Sequence, residues 1–113
     1  MQTPTLWFML LFVATGLLLA GVSFPLIRRW VKPNHFYGFR IPKTMSSEPI
    51  WYEANAYAGR MLLGLSIVYI AASILLYFVF RENFVAYNIA CAVVLLGGLL
   101  IVVVLSFRYA RLL

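Results

Sequence analysis

Apolar residues run almost unbroken from Leu6 to Ile27, from Met61 to Phe80 and from Phe84 to Phe107, and no Asp, Glu, Lys, Arg or His interrupts any of the three runs. At about 1.5 Å per helical residue, each is long enough to cross a hydrocarbon layer of about 30 Å. A soluble helix of that length keeps a polar face for water, and these runs have none. The pattern predicts an all-α integral membrane protein, a single membrane domain over residues 1–113 with three transmembrane helices.

Polar positions gather between the first two runs, from Arg28 to Arg60. The 33–59 part mixes Pro, Gly and aromatic residues without repetition, as ordered loops do and free tethers do not. Pro33-Asn34 and Tyr37-Gly38 are turn signals, and Pro42 biases Ile41 towards extended backbone. A helix is expected from about Ser47, with Ser46 or Ser47 accepting a first-turn N–H and Pro49 tolerated in that turn. From there Ile50, Trp51, Ala54, Tyr57, Ala58, Met61 and Leu62 recur at three- and four-residue steps, an amphipathic lead-in helix before helix two. Trp51, Asn55 and Gly59, four residues apart, share one face. That face is either a working surface or an interfacial Trp, a solvated Asn and a Gly that lets two helices approach.

The Arg81–Asn83 connection is so short that helices two and three must form an antiparallel hairpin, with Asn83 at the reversal. Gly59, Ser66 and Ser73 recur every seventh residue as a small-residue seam on helix two. Gly16 and Ala20 on helix one and Gly97 and Gly98 on helix three are the matching small positions, for packing within a subunit or an oligomer.

The composition, 65% hydrophobic and 11% charged, agrees with a membrane domain, and the net charge of +6 adds direction. Three spans place Arg28, Arg29, Lys32, Arg40, Lys43, Arg60, Arg108 and Arg111 on one side of the bilayer and Arg81 alone on the other. The positive-inside bias turns the loop and the C-terminus to the cytoplasm and the N-terminus outward. The flank before Leu6 lacks side-chain positive charge and Arg28, Arg29 and Lys32 follow the run, the reverse of a secretory signal. The basic face attracts anionic headgroups.

Candidate chemistry is sparse: one His (His35), one Cys (Cys91) and three acids (Glu48, Glu53, Glu82). No metal site or nucleophile–base pair can be assembled from them, no cofactor is expected, and no ionisable group stands at membrane depth for ion-coupled transport. His35 reads as solvated and Cys91 as a small apolar side chain in span three. The basic–aromatic interleaving of Arg28-Arg29-Trp30 and His35 to Arg40 is what a membrane interface selects, so nucleic acid is not an expected partner.

The order Pro33-Asn34-x-x-Tyr37-Gly38-x-Arg40-x-Pro42-x-Thr44, followed by Ser46-Ser47-Glu48-x-x-Trp51-x-x-x-Asn55-x-x-x-Gly59, resembles the signature of the SdpI/YfhL family of bacterial membrane proteins. The two spans that follow fit the family's layout. The resemblance implies a bacterial cytoplasmic membrane protein. The namesake protects its cell from a secreted peptide toxin and captures a transcriptional repressor at the membrane. It carries additional spans before the shared segment, whereas this chain has one there, as in the short YfhL-type form. The expected function is a non-catalytic immunity or toxin-sensing factor that binds through Pro33, Asn34, Tyr37, Gly38, Arg40, Pro42, Thr44, Trp51, Asn55 and Gly59. Expected partners are the lipid bilayer with a peptide toxin, a cytoplasmic regulator, larger membrane subunits or a second copy of the chain. The alternative is an accessory subunit of a larger membrane complex, and a rival reading of the motif is that it serves only to fold the loop.

Within the motif, Arg40 and Asn55 are expected to hydrogen-bond each other or a peptide backbone. The planar fork of Arg40 can tie loop carbonyls or the Asn55 amide. Tyr37 and Trp51 are expected to wall an apolar pocket, and Arg29 reads as ordinary basic flank. The charge division makes one prediction: in a background lacking Cys91, a cysteine replacing Arg40 is shielded from an impermeant thiol reagent in intact cells, and one replacing Gln2 reacts. The opposite labelling pattern overturns the orientation.

Overall fold

The structure, a computed structural model, describes residues 4–113. The N-terminus itself, which the charge count turns outward, lies outside the described residues. The described chain forms three helices, α1 (Pro4–Ile27), α2 (Glu48–Val79) and α3 (Phe84–Arg111), each long and apolar enough to cross a membrane. Three such helices are the architecture of a multi-pass membrane protein.

The helix bounds differ from the apolar runs for physical reasons. Ser47, in extended backbone, caps α2 by accepting the Ile50 N–H, and Pro49 occupies the first turn. The lead-in is therefore continuous with span two, and the 32 residues of α2 reach about 48 Å, well beyond the hydrocarbon thickness. Its first turns extend past the bilayer on the loop side. Asn83 serves as the α3 N-cap, its Oδ1 accepting from the Ala86 N–H. At the other end α3 runs on to Arg111, because Arg108 and Arg111 suit the negative end of the helix dipole.

Helix α1 ends in a Schellman arrangement: the Trp30 N–H bonds the Pro25 carbonyl at 3.0 Å and the Arg29 N–H bonds Leu26 at 3.2 Å. Arg29 takes the left-handed position, φ 61°, that glycine usually fills. Its guanidinium also pairs with Glu53 of α2 at 2.7 Å. The reading of Arg29 as ordinary flank is corrected on both counts, although the half-exposed pair contributes little energy.

Helix α2 is central: α1 and α3 both pack against it and make little contact with each other. They do meet at the end opposite the long loop, where Phe12 of α1 stacks on Tyr87 of α3 with centroids 5.8 Å apart, and Phe8 lies 6.3 Å from Phe84. The buried Tyr87 hydroxyl donates to the Ser73 carbonyl at 2.7 Å. Towards the loop the two helices are separated by a recess.

The seam on α2 faces inward, since Gly59, Ser66 and Ser73 are all buried. A Cβ on Gly59 would stand 3.0 Å from the Ser23 carbonyl of α1, and one on Gly16 would collide with Ile70 and sit 3.4 Å from the Ser66 carbonyl. Gly98 receives Leu65 in the same way, whereas Gly97 faces open space and takes no part in this packing. These glycines therefore serve contacts inside one subunit. Gly59→Ala is expected to cost about 1–3 kcal/mol, because the neighbour it meets is backbone that cannot step aside. Gly64→Ala and Gly97→Ala, with nothing within 4 Å, leave detergent-phase unfolding unchanged or raise it slightly.

Candidate functional site

The segment between α1 and α2 is held by side-chain-to-backbone bonds, and the motif residues supply most of them. Asn34 starts the set: its Oδ1 accepts the N–H groups of Phe36 at 2.8 Å and Tyr37 at 2.7 Å, while its Nδ2 donates to the Lys32 carbonyl at 2.7 Å. This is an Asx turn, which asparagine makes because its short amide mimics a backbone unit. The Tyr37 hydroxyl then donates to the Val22 carbonyl of α1, and burial pushes the phenol pKa above its ordinary 10.0.

The next link carries the most bonds. Asn55, 2% exposed on α2, accepts the Phe39 N–H at 2.6 Å and donates to the Phe39 carbonyl at 3.3 Å and to the Trp51 carbonyl at 2.9 Å. Both donors of its amide are used. One turn earlier Trp51, fully buried, donates its indole N–H to the Val31 carbonyl at 2.8 Å. Helix α2 thus grips the chain at both Val31 and Phe39.

Gly38 lies between those grips with φ +115°, a conformation L side chains rarely adopt. A Cβ there would stand 2.8 Å from Asn55 Oδ1 and 3.0 Å from the Trp51 ring. The Trp-x-x-x-Asn face exists to receive this glycine's backbone. Thr44, fully buried, closes its own turn, its Oγ1 accepting from the Ile41 N–H at 2.9 Å and donating to the Ile41 carbonyl at 3.0 Å. Pro42 is exposed within that turn, Pro33 is half-buried beside the Asn34 turn, and Gly59 lies away from the loop against α1.

Two expectations about pairing are corrected. Arg40 does not bond Asn55: it is exposed, and the Asn55 amide is occupied by the Phe39 peptide and the Trp51 carbonyl. Trp51 does not wall a pocket with Tyr37 but stands behind Gly38. The reading of this face as an exposed Trp and a solvated Asn is corrected too, since Trp51 and Asn55 are both buried, whereas Gly59 does let α2 approach α1 as that reading had it. Tyr37, Gly38 and Phe39 do line the recess between α1 and α3.

Phe39 and Val31 contribute through peptide groups, so residue type gave no signal for them. Glu53 was missed too, because an ion pair across a loop has no sequence spacing. His35, Phe36 and Arg40 are among the exposed side chains around these bonded positions, and Phe36 is 96% exposed. Among the described residues, no group of three or more His, Cys, Asp or Glu side chains is arranged to hold a metal ion.

The family model described as the SdpI/YfhL protein family matches residues 31–108, which takes in the whole motif and helices α2 and α3 almost to their end. Comparison with curated proteins and with solved structures found no match.

The bonding makes Asn55 more important than Arg40. Asn55→Ala leaves the Phe39 N–H and carbonyl without their partner, a loss of about 1–3 kcal/mol that opens the segment roughly 5- to 150-fold more often. Trypsin is therefore expected to cut after Lys43 much faster in Asn55→Ala than in the parent protein in detergent. Arg40→Lys and Arg40→Ala leave that rate unchanged.

Proposed function

Because the chain belongs to the SdpI/YfhL family of membrane proteins, we propose that it is a non-catalytic immunity or toxin-sensing factor of the bacterial cytoplasmic membrane. It acts by binding on the loop side, through the 33–59 segment, and its ligand is a secreted membrane-active peptide.

One observation supports this reading above others. Asn34, Trp51, Asn55 and Thr44 spend their polar groups on the backbone of the segment, so it is pre-shaped while His35, Phe36 and Arg40 remain free to touch a ligand. Pre-organisation of this kind lowers the ordering cost of binding. An exposed aromatic beside an exposed arginine offers an apolar contact and a donor fork to an amphipathic peptide.

A second reading, an accessory subunit of a larger membrane complex, draws on α3, where only Tyr87, Cys91, Ser106 and Ala110 are buried. A helix so open to its surroundings has room for partner helices.

Deleting the gene and challenging cells with membrane-active peptides separates these readings. The immunity reading predicts sensitisation to at least one peptide, restored by the parent gene and by Arg29→Lys but poorly by Asn55→Ala or by Phe36→Ala combined with Arg40→Ala. No change in sensitivity, together with stoichiometric larger subunits in a mild-detergent purification, establishes the accessory role instead.

A further inference from the structure

A second cavity, of about 490 Å³, lies on the loop side between α2 and the last turns of α3, lined by Tyr57 of α2 and by Leu105, Arg108, Tyr109, Arg111 and Leu112 of α3. The rings of Tyr57 and Tyr109 stack with centroids 4.2 Å apart and planes within 6° of parallel. The pair ties the two helices together, and no planar ligand fits between its rings. Arg111 lies over the Phe107 ring, 6.0 Å from its centroid, a contact that steadies the guanidinium.

The charge of this cavity is unbalanced. The one ion pair among the described residues joins Arg29 to Glu53, so neither Arg108 nor Arg111 has a carboxylate partner there. The C-terminal end of α3 offers them about half a negative charge, against two full positive ones. The Tyr57 and Tyr109 hydroxyls have no hydrogen-bond partner among the described residues, unlike the hydroxyls of Tyr37 and Tyr87. Two guanidinia and two phenols are thus left as donors around one cavity, and the oxygens of a phosphate match such a set.

Depth narrows the source of that phosphate. Arg108 directly follows the third apolar run, which ends at Phe107, so the cavity lies where hydrocarbon gives way to headgroups. Leu105, one turn deeper, and the exposed Phe107 offer apolar contact to whatever hangs below the phosphate. A soluble phosphate supplies the same oxygens and has nothing to place there.

We propose that this cavity is a site for one anionic glycerophospholipid of the loop-side leaflet: Arg108 and Arg111 hold its phosphate, and Tyr57 and Tyr109 donate to the phosphate or to the glycerol oxygens beside it. The site is distinct from the general pull of the basic face, and it does not rest on the immunity reading.

The full chain in uncharged maltoside detergent is titrated with three probes: dioctanoyl phosphatidylglycerol, dioctanoylglycerol, which lacks the phosphate, and glycerophosphoglycerol, which lacks the chains. Native mass spectrometry reads the fraction of protein carrying one ligand. Phosphatidylglycerol is expected to bind at least about ten-fold more tightly than either fragment. Arg108→Gln combined with Arg111→Gln weakens it by about ten-fold or more, and Tyr57→Phe combined with Tyr109→Phe, which keeps the rings and removes the donors, weakens it by about two- to five-fold. Lys32→Gln combined with Lys43→Gln removes the same charge from the same side of the molecule outside the cavity, and it changes affinity by less than about two-fold. Thermal unfolding confirms the fold of each variant, and the comparison of probes in the parent protein stands even where a variant does not fold. Dioctanoylglycerol or glycerophosphoglycerol binding as tightly as the intact lipid, or a folded double-arginine variant that binds it no more weakly than the double-lysine variant, overturns the proposal.

Discussion

At the loop end of the molecule the chain leaves α1, turns and must come to rest against α2 without leaving buried peptide groups unpaired, and the Asn55 amide meets that requirement at Phe39. It accepts from the N–H and donates to the carbonyl of one residue, so it replaces on both sides the partners a sheet or a helix would have given. Its second N–H returns to Trp51 of its own helix, which fixes the rotamer. Other contacts follow from this one. With Phe39 held, Gly38 is drawn onto the Trp51 ring where no side chain fits, and Tyr37 comes within reach of the Val22 carbonyl.

The length of α2 makes this arrangement available. An apolar span alone would have ended near the headgroups, but the capped, amphipathic extension carries Trp51 and Asn55 beyond the hydrocarbon as a rigid post. Helices α1 and α3 both pack on that post and meet through aromatic rings at the far end. Towards the loop they separate, so the bonded segment closes over a gap and not over a packed core.

Much of this was legible in the sequence for particular reasons. The uncharged runs fixed three spans, the three-residue connection fixed the hairpin, and Ser47 with Pro49 marked the start of α2. Four-residue spacing correctly placed Trp51 and Asn55 together, while Gly59, one turn further on, packs against α1. The partners of those residues were not legible, because the acceptor of Trp51 and both partners of Asn55 in the loop are peptide groups whose identity depends on the path of the chain. Arg40 attracted attention as a charge among aromatics, yet its neighbour's backbone is what binds Asn55. Arg29 gave no sign of left-handed backbone, since that conformation is expected of Gly or Asn.

The central claim, that the Asn55 side chain holds the Phe39 peptide, is open to direct spectroscopic observation. In isotopically labelled protein in lipid nanodiscs, the Phe39 amide nitrogen should show a scalar coupling across the hydrogen bond to the Asn55 side-chain carbonyl carbon, with a Phe39 amide proton that exchanges as slowly as those of the first turns of α2. A Phe39 amide that lacks the coupling and exchanges at the rate of an open loop would contradict the account.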